Sequence, residues 1–218
     1  MFSWGSNSRS RPGWPARLEP LRVGAGAVAL RPIRMRDSAD WSRLRIRNRD
    51  WLVPWEPTAD GNWAARHHRS NWPALYSVLK AEAKRGALLP FVIEVDGEYT
   101  GQLTIGNLQR GAVRSAWIGY WVDQDWTGKG VATAAVALGV DHAFGPVGLH
   151  RLEATVQPSN AASRSVLTHV GFRHEGVLKR YMDVNGRWRD HDLFALTAEE
   201  VISSAVETLV RSGRAQFR

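Results

Sequence analysis

Residues Asp125–Phe144, DWTGKGVATAAVALGVDHAF, set a glycine–lysine–glycine loop directly ahead of a long apolar run. Gly128 and Gly130 flank Lys129, and no glycine or proline interrupts the next eight residues. The run predicts a helix that is apolar nearly all round (Val131, Ala134, Ala135, Val136, Leu138, Val140) and therefore buried. Its first turn carries N–H groups without intrahelical partners and about half a positive charge. Glycines ahead of such a turn let an anion approach the backbone closely. The bland alternative is a glycine turn that merely joins a strand to a buried helix. Two nucleotide-binding readings fail on detail. Gly130 stands where a Walker loop needs Ser or Thr. The preceding strand, SAWIGYWV, belongs to a meander rather than to the all-parallel opening of a dinucleotide fold.

Upstream of the loop, LLPFVIEV and EYTGQLTIGNL alternate with period 2 around Asp96-Gly97, a strong hairpin signal. Downstream, the buried helix ends at Gly145-Pro146, and HRLEATV reads as a strand. SNAASRSVLTHV then forms a short helix closed by Gly171, and a final hairpin turns at Asn185-Gly186. Earlier still come a strand from Ala27 to Ile33 and a helix with Asp37 as N-cap. WLVPWEPTADGN reads as a loop, and a helical region from Trp63 to Arg85 is broken at Pro73. Thr197 and Glu200 form a capping box for a C-terminal helix. This order gives an α+β domain with one β-α-β crossover in a mostly antiparallel sheet.

Composition bounds the rest. The 218 residues suit one domain, placed at 21–200, between a flexible basic arm (1–20, rich in Ser, Arg, Pro and Gly) and a C-terminal helix or tail (201–218). Cysteine is absent, which removes thiol nucleophiles and suits a cytoplasmic location. No apolar run is long enough to span a membrane. A net charge of +8 favours an anionic partner, and seven arginines between Arg31 and Arg49 read as a solvated helix face or, less often, a phosphate-binding one. Eleven tryptophans, eight of them between Trp41 and Trp126, point to a Trp-rich core, an aromatic-lined cleft, or both. His67, His68 and His191 show no metal-ligand spacing, so no metal is expected, and His191 reads as a packing or hydrogen-bonding strand residue rather than a catalyst.

A second constellation gives the loop a partner. QPSNAASRSVLTHVGF places Asn160 and Ser163 at the start of a helix that closes at Gly171-Phe172. Together with TGKGVA this resembles the GNAT (Gcn5-related N-acetyltransferase) superfamily. Thr127 stands where the family's loop usually has Gln or Arg. NRDWLVPWEP, HRLEATV and EGVLKRYMDVNGRWRDHDLFAL narrow the resemblance to its RimJ/RimL branch, the ribosomal-protein N-terminal acetyltransferases, and to RimJ-like members most closely. It covers about residues 28 to 197.

The resemblance implies a GNAT fold with helices on both faces and a sheet splayed between AWIGYWV and RLEATV, where acetyl-CoA sits. Backbone groups of Trp121, Val122 and Asp123 would hold the pantetheine arm. Thr127, Gly128, Lys129, Gly130, Val131, Ala132 and Thr133 would hold the pyrophosphate. Asn160 would bond the pantetheine amide, its plain alternative being a helix cap, and Ser163 would act as general acid. Among Glu56, Glu94, Glu153 and Asp192, the resemblance favours Glu56 as base, and its neighbours Trp55 and Pro57 suggest a desolvated carboxylate.

An α-amino group has a pKa near 8 against about 10.4 for lysine, a difference of roughly 3.3 kcal/mol in deprotonation cost. That suits a peptide N-terminus, which the resemblance implies is the N-terminal alanine of a ribosomal protein. Small-amine, amino-acid or antibiotic acetylation is the alternative within the fold. A ribosome- or RNA-associating module with a vestigial cofactor site is the alternative outside enzymes; the basic arm and first helix suggest it, and the intact Gly128, Gly130, Asn160 and Ser163 oppose it.

Overall fold

A computed structural model describes residues 13–217. Nine strands form a single sheet: β1 (Leu18–Val23), β2 (Gly26–Pro32), β3 (Leu88–Val95), β4 (Glu98–Gly106), β5 (Ser115–Val122), β6 (Arg151–Val156), β7 (Arg173–Val184), β8 (Arg187–Thr197) and β9 (Gln216–Phe217). Their spatial order is β7-β8-β6-β5-β4-β3-β2-β1-β9. Every pairing is antiparallel except β5 with β6. That parallel ladder holds only Ser115–Trp117 against Arg151–Glu153, after which β5 and β6 part from each other, β5 staying paired with β4 and β6 with β8. The sheet therefore splays where the resemblance to GNAT enzymes placed the gap.

The two faces differ in cover. On one lie α5 (Val131–Phe144), α6 (Ala161–Val170) and α7 (Ala205–Arg211), over Phe91, Ile93, Leu103, Ile105 and Ile118. Helix α5 is buried nearly all round, as its composition predicts. On the other face, α1 (Ser38–Arg47) and α4 (Trp72–Arg85) bury Trp41, Leu44 and Trp72 over Val92 and Tyr99. Pro73 sits in the first turn of α4, where its missing N–H costs no hydrogen bond. The break in the helical region thus falls just ahead of it, after the short α3 (Trp63–Arg66). Asn185 and Gly186 both have positive φ, the geometry of a tight hairpin turn, as do Asp96 and Gly97.

Several expectations are corrected. The loop expected at 51–62 starts later: Trp51 and Leu52 complete α2 (Arg49–Leu52), and Val53–Trp55 form a 3-10 turn that starts one residue ahead of Pro54. Asp37 makes no side-chain cap on α1; both its oxygens go to Arg31, and one also accepts the Arg34 N–H. The Thr197–Glu200 box caps only a 3-10 turn, and α7 starts later, under Ser204.

Of the flexible arm expected at 1–20, residues 1–12 lie outside the described residues. Residues 13–20 are docked rather than loose. Trp14 packs edge-on against Phe91 at 5.2 Å, the Gly13 carbonyl meets the His142 ring at 2.7 Å, and β1 begins at Leu18. Residues 201–217 of the expected tail likewise pack on the domain, since β9 pairs with β1. Among the described residues no helix is long and apolar enough to cross a membrane.

Candidate active site

A cleft of about 930 Å³ runs from the start of α5 through the gap between β5 and β6 to the loop around Glu56. Gly128 and Gly130 hold φ of 71° and 82°, a left-handed backbone that other residues adopt at a cost. Gly130 caps α5 without a side-chain bond, and the first backbone bond into the helix is from Ala134 to Gly130, at 3.0 Å. The N–H groups of Val131, Ala132 and Thr133 are therefore left over at the cleft wall. The Thr127 hydroxyl donates to the Gln124 carbonyl at 2.8 Å, so its side chain fastens the turn. Lys129 lies 5.5 Å above the Trp126 ring. Arg214, which the sequence gave no reason to select, lines the same end, and neither cation has an ion-pair partner among the described residues.

At the tip of β5, Asp123 donates its N–H to Thr100 and accepts from Trp126 at its carbonyl. In an antiparallel ladder successive residues face opposite edges. The backbone of Val122 thus faces the open gap, and that of Trp121 faces β4. The Asp123 N–H is thus committed to β4 and its carbonyl already accepts one bond, while its buried carboxylate accepts from Asn48 Nδ2 at 2.8 Å and pairs with Arg47. It anchors the strand end to α1.

Asn160 caps α6, its Oδ1 accepting the Ser163 N–H at 3.0 Å. That is the plain alternative, and it still leaves Nδ2 as a donor. Ser163 Oγ lies 3.0 Å from Tyr120 Oη, a residue the sequence did not single out. Burial pushes the Tyr120 phenol well above its ordinary pKa, so it stays neutral. A smaller cavity of about 140 Å³ opens behind these hydroxyls, and His191 helps line it.

Glu56 reaches the far end of the cleft beside Trp51 and Trp55. Both its oxygens engage Arg45, one of them at 2.6 Å from Nη2. Arg45 is itself buried, stacked between the Trp63 and Trp121 rings, and donates to His67 Nε2 at 3.0 Å. Burial and the Arg45 charge push His67 down to about 4, so it accepts as a neutral ring while Nδ1–H donates to the Trp63 carbonyl. The aromatic neighbourhood of Glu56 is thus real, but a guanidinium occupies it. Trp117 lies over Gly106 and Gly119, where any Cβ would meet its ring.

The other carboxylates lie outside this cleft. Burial disfavours the charged form of Glu94, yet Arg31 and Arg17 overcome it and hold the group below its ordinary range. Glu153 pairs with Arg151, and buried Asp192 with Arg164 and His174. No group of three His, Asp or Glu side chains capable of holding a metal occurs among the described residues. The seven-arginine stretch is a solvated face in part: Arg34, Arg36, Arg43, Arg47 and Arg49 are exposed. Arg31 and Arg45 are buried, and Arg43, Arg47 and Arg49 also pair with acids.

The GNAT acetyltransferase domain family matches residues 28–173, two thirds of the chain. The chain belongs to the GNAT acetyltransferase family. RimJ of Mycobacterium smegmatis, solved in complex with CoA-disulfide, is 59% identical, with a TM-score of 0.94 over 95% of this chain and 100% of that one. The [ribosomal protein uS5]-alanine N-acetyltransferase of Escherichia coli is 28% identical over 86% of this chain and 96% of its own length. The RimL ribosomal L7/L12 acetyltransferase bound to coenzyme A shares the fold, with a TM-score of 0.72 at 19% identity, over 83% of this GNAT chain and 99% of its own.

Proposed function

We propose that this chain is an acetyl-CoA-dependent N-acetyltransferase of the cytoplasm whose acceptor is a protein α-amino group, the N-terminal alanine of a ribosomal protein. The observation that carries this reading is the continuous cleft through the splayed sheet. An anion site stands at one end, an outward-facing backbone edge at Val122 in the middle, and a carboxylate between tryptophans at the other. The M. smegmatis and E. coli relatives, matched over nearly their whole lengths, support the acceptor.

Acetyl-CoA, when bound, supplies an acetyl group as a thioester. The amides of Gly128–Thr133 hold its pyrophosphate, with Lys129 and Arg214 adding charge. The Val122 backbone takes the pantetheine arm as an added strand, and its N–H polarises the reacting carbonyl. Asn160 Nδ2 donates to the same arm. Ser163 donates its Oγ–H to the leaving sulfur. Glu56, steadied by Arg45, receives the acceptor's amino group and takes its proton. The α-amine's pKa near 8 keeps that step within reach of one carboxylate.

Thiol release should be measured with an alanine-initiated ribosomal-protein peptide, an N-terminally blocked lysine peptide and a polyamine. The alanine peptide should react fastest. Preference for the lysine peptide or the polyamine would overturn the acceptor.

A further inference from the structure

We propose that Tyr120 is the positioning residue for Ser163: its hydroxyl sets where the Ser163 Oγ–H points and hydrogen-bonds that oxygen while the proton is donated. This rests on the reading of Ser163 given above. Tyr120 lies on β5 with its ring on the α5–α6 face, and its hydroxyl has two partners, Ser163 Oγ at 3.0 Å and the Ser163 carbonyl at 3.3 Å. No other polar partner occurs among the described residues. Phenylalanine would pack the same space without a buried hydroxyl to satisfy. The only feature in contact that uses the oxygen is Ser163. Both residues also line the main cleft and the small cavity behind it, so the pair stands where the two meet.

One phenolic proton and two acceptors make two arrangements. When Tyr120 donates to the carbonyl, its Oη accepts the Ser163 proton, and the serine points away from the cleft. When Tyr120 donates to Oγ instead, the Ser163 proton is released to point into the cleft. The second arrangement also stabilises negative charge developing on Oγ. No heavy atom has to move, and the Tyr120 O–H bond stays intact throughout.

The test compares Tyr120→Phe, Ser163→Ala and the double variant. Tyr120→Phe should lower kcat about five- to tenfold, the size of one hydrogen bond. Its KM for acetyl-CoA and its calorimetric affinity for coenzyme A should stay within about twofold. Ser163→Ala should lose about a hundredfold, and the double variant should equal Ser163→Ala alone, because one acts through the other. Without any ligand, urea midpoints provide an independent readout: the midpoint losses of the two single variants should not add in the double variant.

Additive losses in both kcat and midpoint would overturn the inference. So would an unchanged kcat in Tyr120→Phe where Ser163→Ala is impaired, and that outcome would leave the role of Ser163 standing. A fully active Ser163→Ala would remove the reading of Ser163 itself, and the inference with it.

Discussion

At the residue scale, the proposed pyrophosphate site and the proposed base make separable demands. A side chain at Gly128 would meet nothing within 4 Å, whereas one at Gly130 would touch Val23. Gly128 is thus the cleaner place to add charge. Asp and Asn both tolerate a left-handed backbone better than other residues, so Gly128→Asp and Gly128→Asn share their strain and differ only in charge. Calorimetry should show the aspartate variant binding coenzyme A at least tenfold more weakly than the asparagine variant. Equal affinities would remove the pyrophosphate from this loop.

Glu56 is tested by pH. A base is needed most where the amine arrives protonated, so Glu56→Gln should lose about a hundredfold in turnover at pH 6 and much less at pH 9.5. A defect equally deep at both values would leave Glu56 and Arg45 as an aligning pair only. The sequence offered Glu56 through the family resemblance and its neighbours Trp55 and Pro57, but Arg45 was hidden. An arginine on an amphipathic helix reads as solvated, and only the packed structure puts it between Trp63 and Trp121. Tyr120 was hidden for a similar reason: an aromatic in an alternating strand reads as core, and its partner is 43 residues away.

At the scale of elements, legibility followed how local the determining forces are. The hairpins at Asp96-Gly97 and Asn185-Gly186, and the buried α5, are specified by turn chemistry and periodicity within a few residues. Strands β1 and β9 are not. LEPLRV carries a proline and two charges, and β9 is two residues long, so both exist because a neighbouring edge pairs with them. The α1–α3–α4 layer was legible as helices but not as a charged cluster. That cluster should make the layer acid-labile. His67 has a folded pKa near 4 against 6.5 unfolded. Its contribution is complete above about pH 6.5 and is lost as pH falls towards 4, because the unfolded chain binds a proton that the folded one refuses. The loss approaches roughly 3 kcal/mol and then levels off. Urea midpoints at pH 7 and pH 4.5 should fall less in His67→Gln than in the parent. An equal fall in both would assign the acid sensitivity to other groups.

At the scale of the whole molecule, the question is what a charge of +8 does once its arginines are accounted for. Five of the seven between Arg31 and Arg49 are paired with acids, which leaves exposed Arg34 and Arg36 as the cations of that stretch unpaired among the described residues. The N-terminal arm is one candidate for docking on an anionic surface, and the structure divides it in two. Residues 13–20 belong to the folded domain through Trp14, the Gly13 carbonyl, and the Arg17–Glu94 pair. Residues 1–12 carry Arg9 and Arg11 with no acid. Deleting 1–12 should leave turnover of a short alanine peptide within about twofold while weakening ribosome association, and the parent's association should itself fall steeply with added salt. Deleting 1–20 should do something different. It removes a packed tryptophan and the first residues of β1, and the melting temperature should drop by roughly 5 °C or more. Co-sedimentation with ribosomes at two salt concentrations, with peptide turnover and melting curves on both truncations, separates the two effects. Ribosome association unaffected by loss of 1–12 would show that the arm plays no part in docking, whatever the longer truncation does to stability.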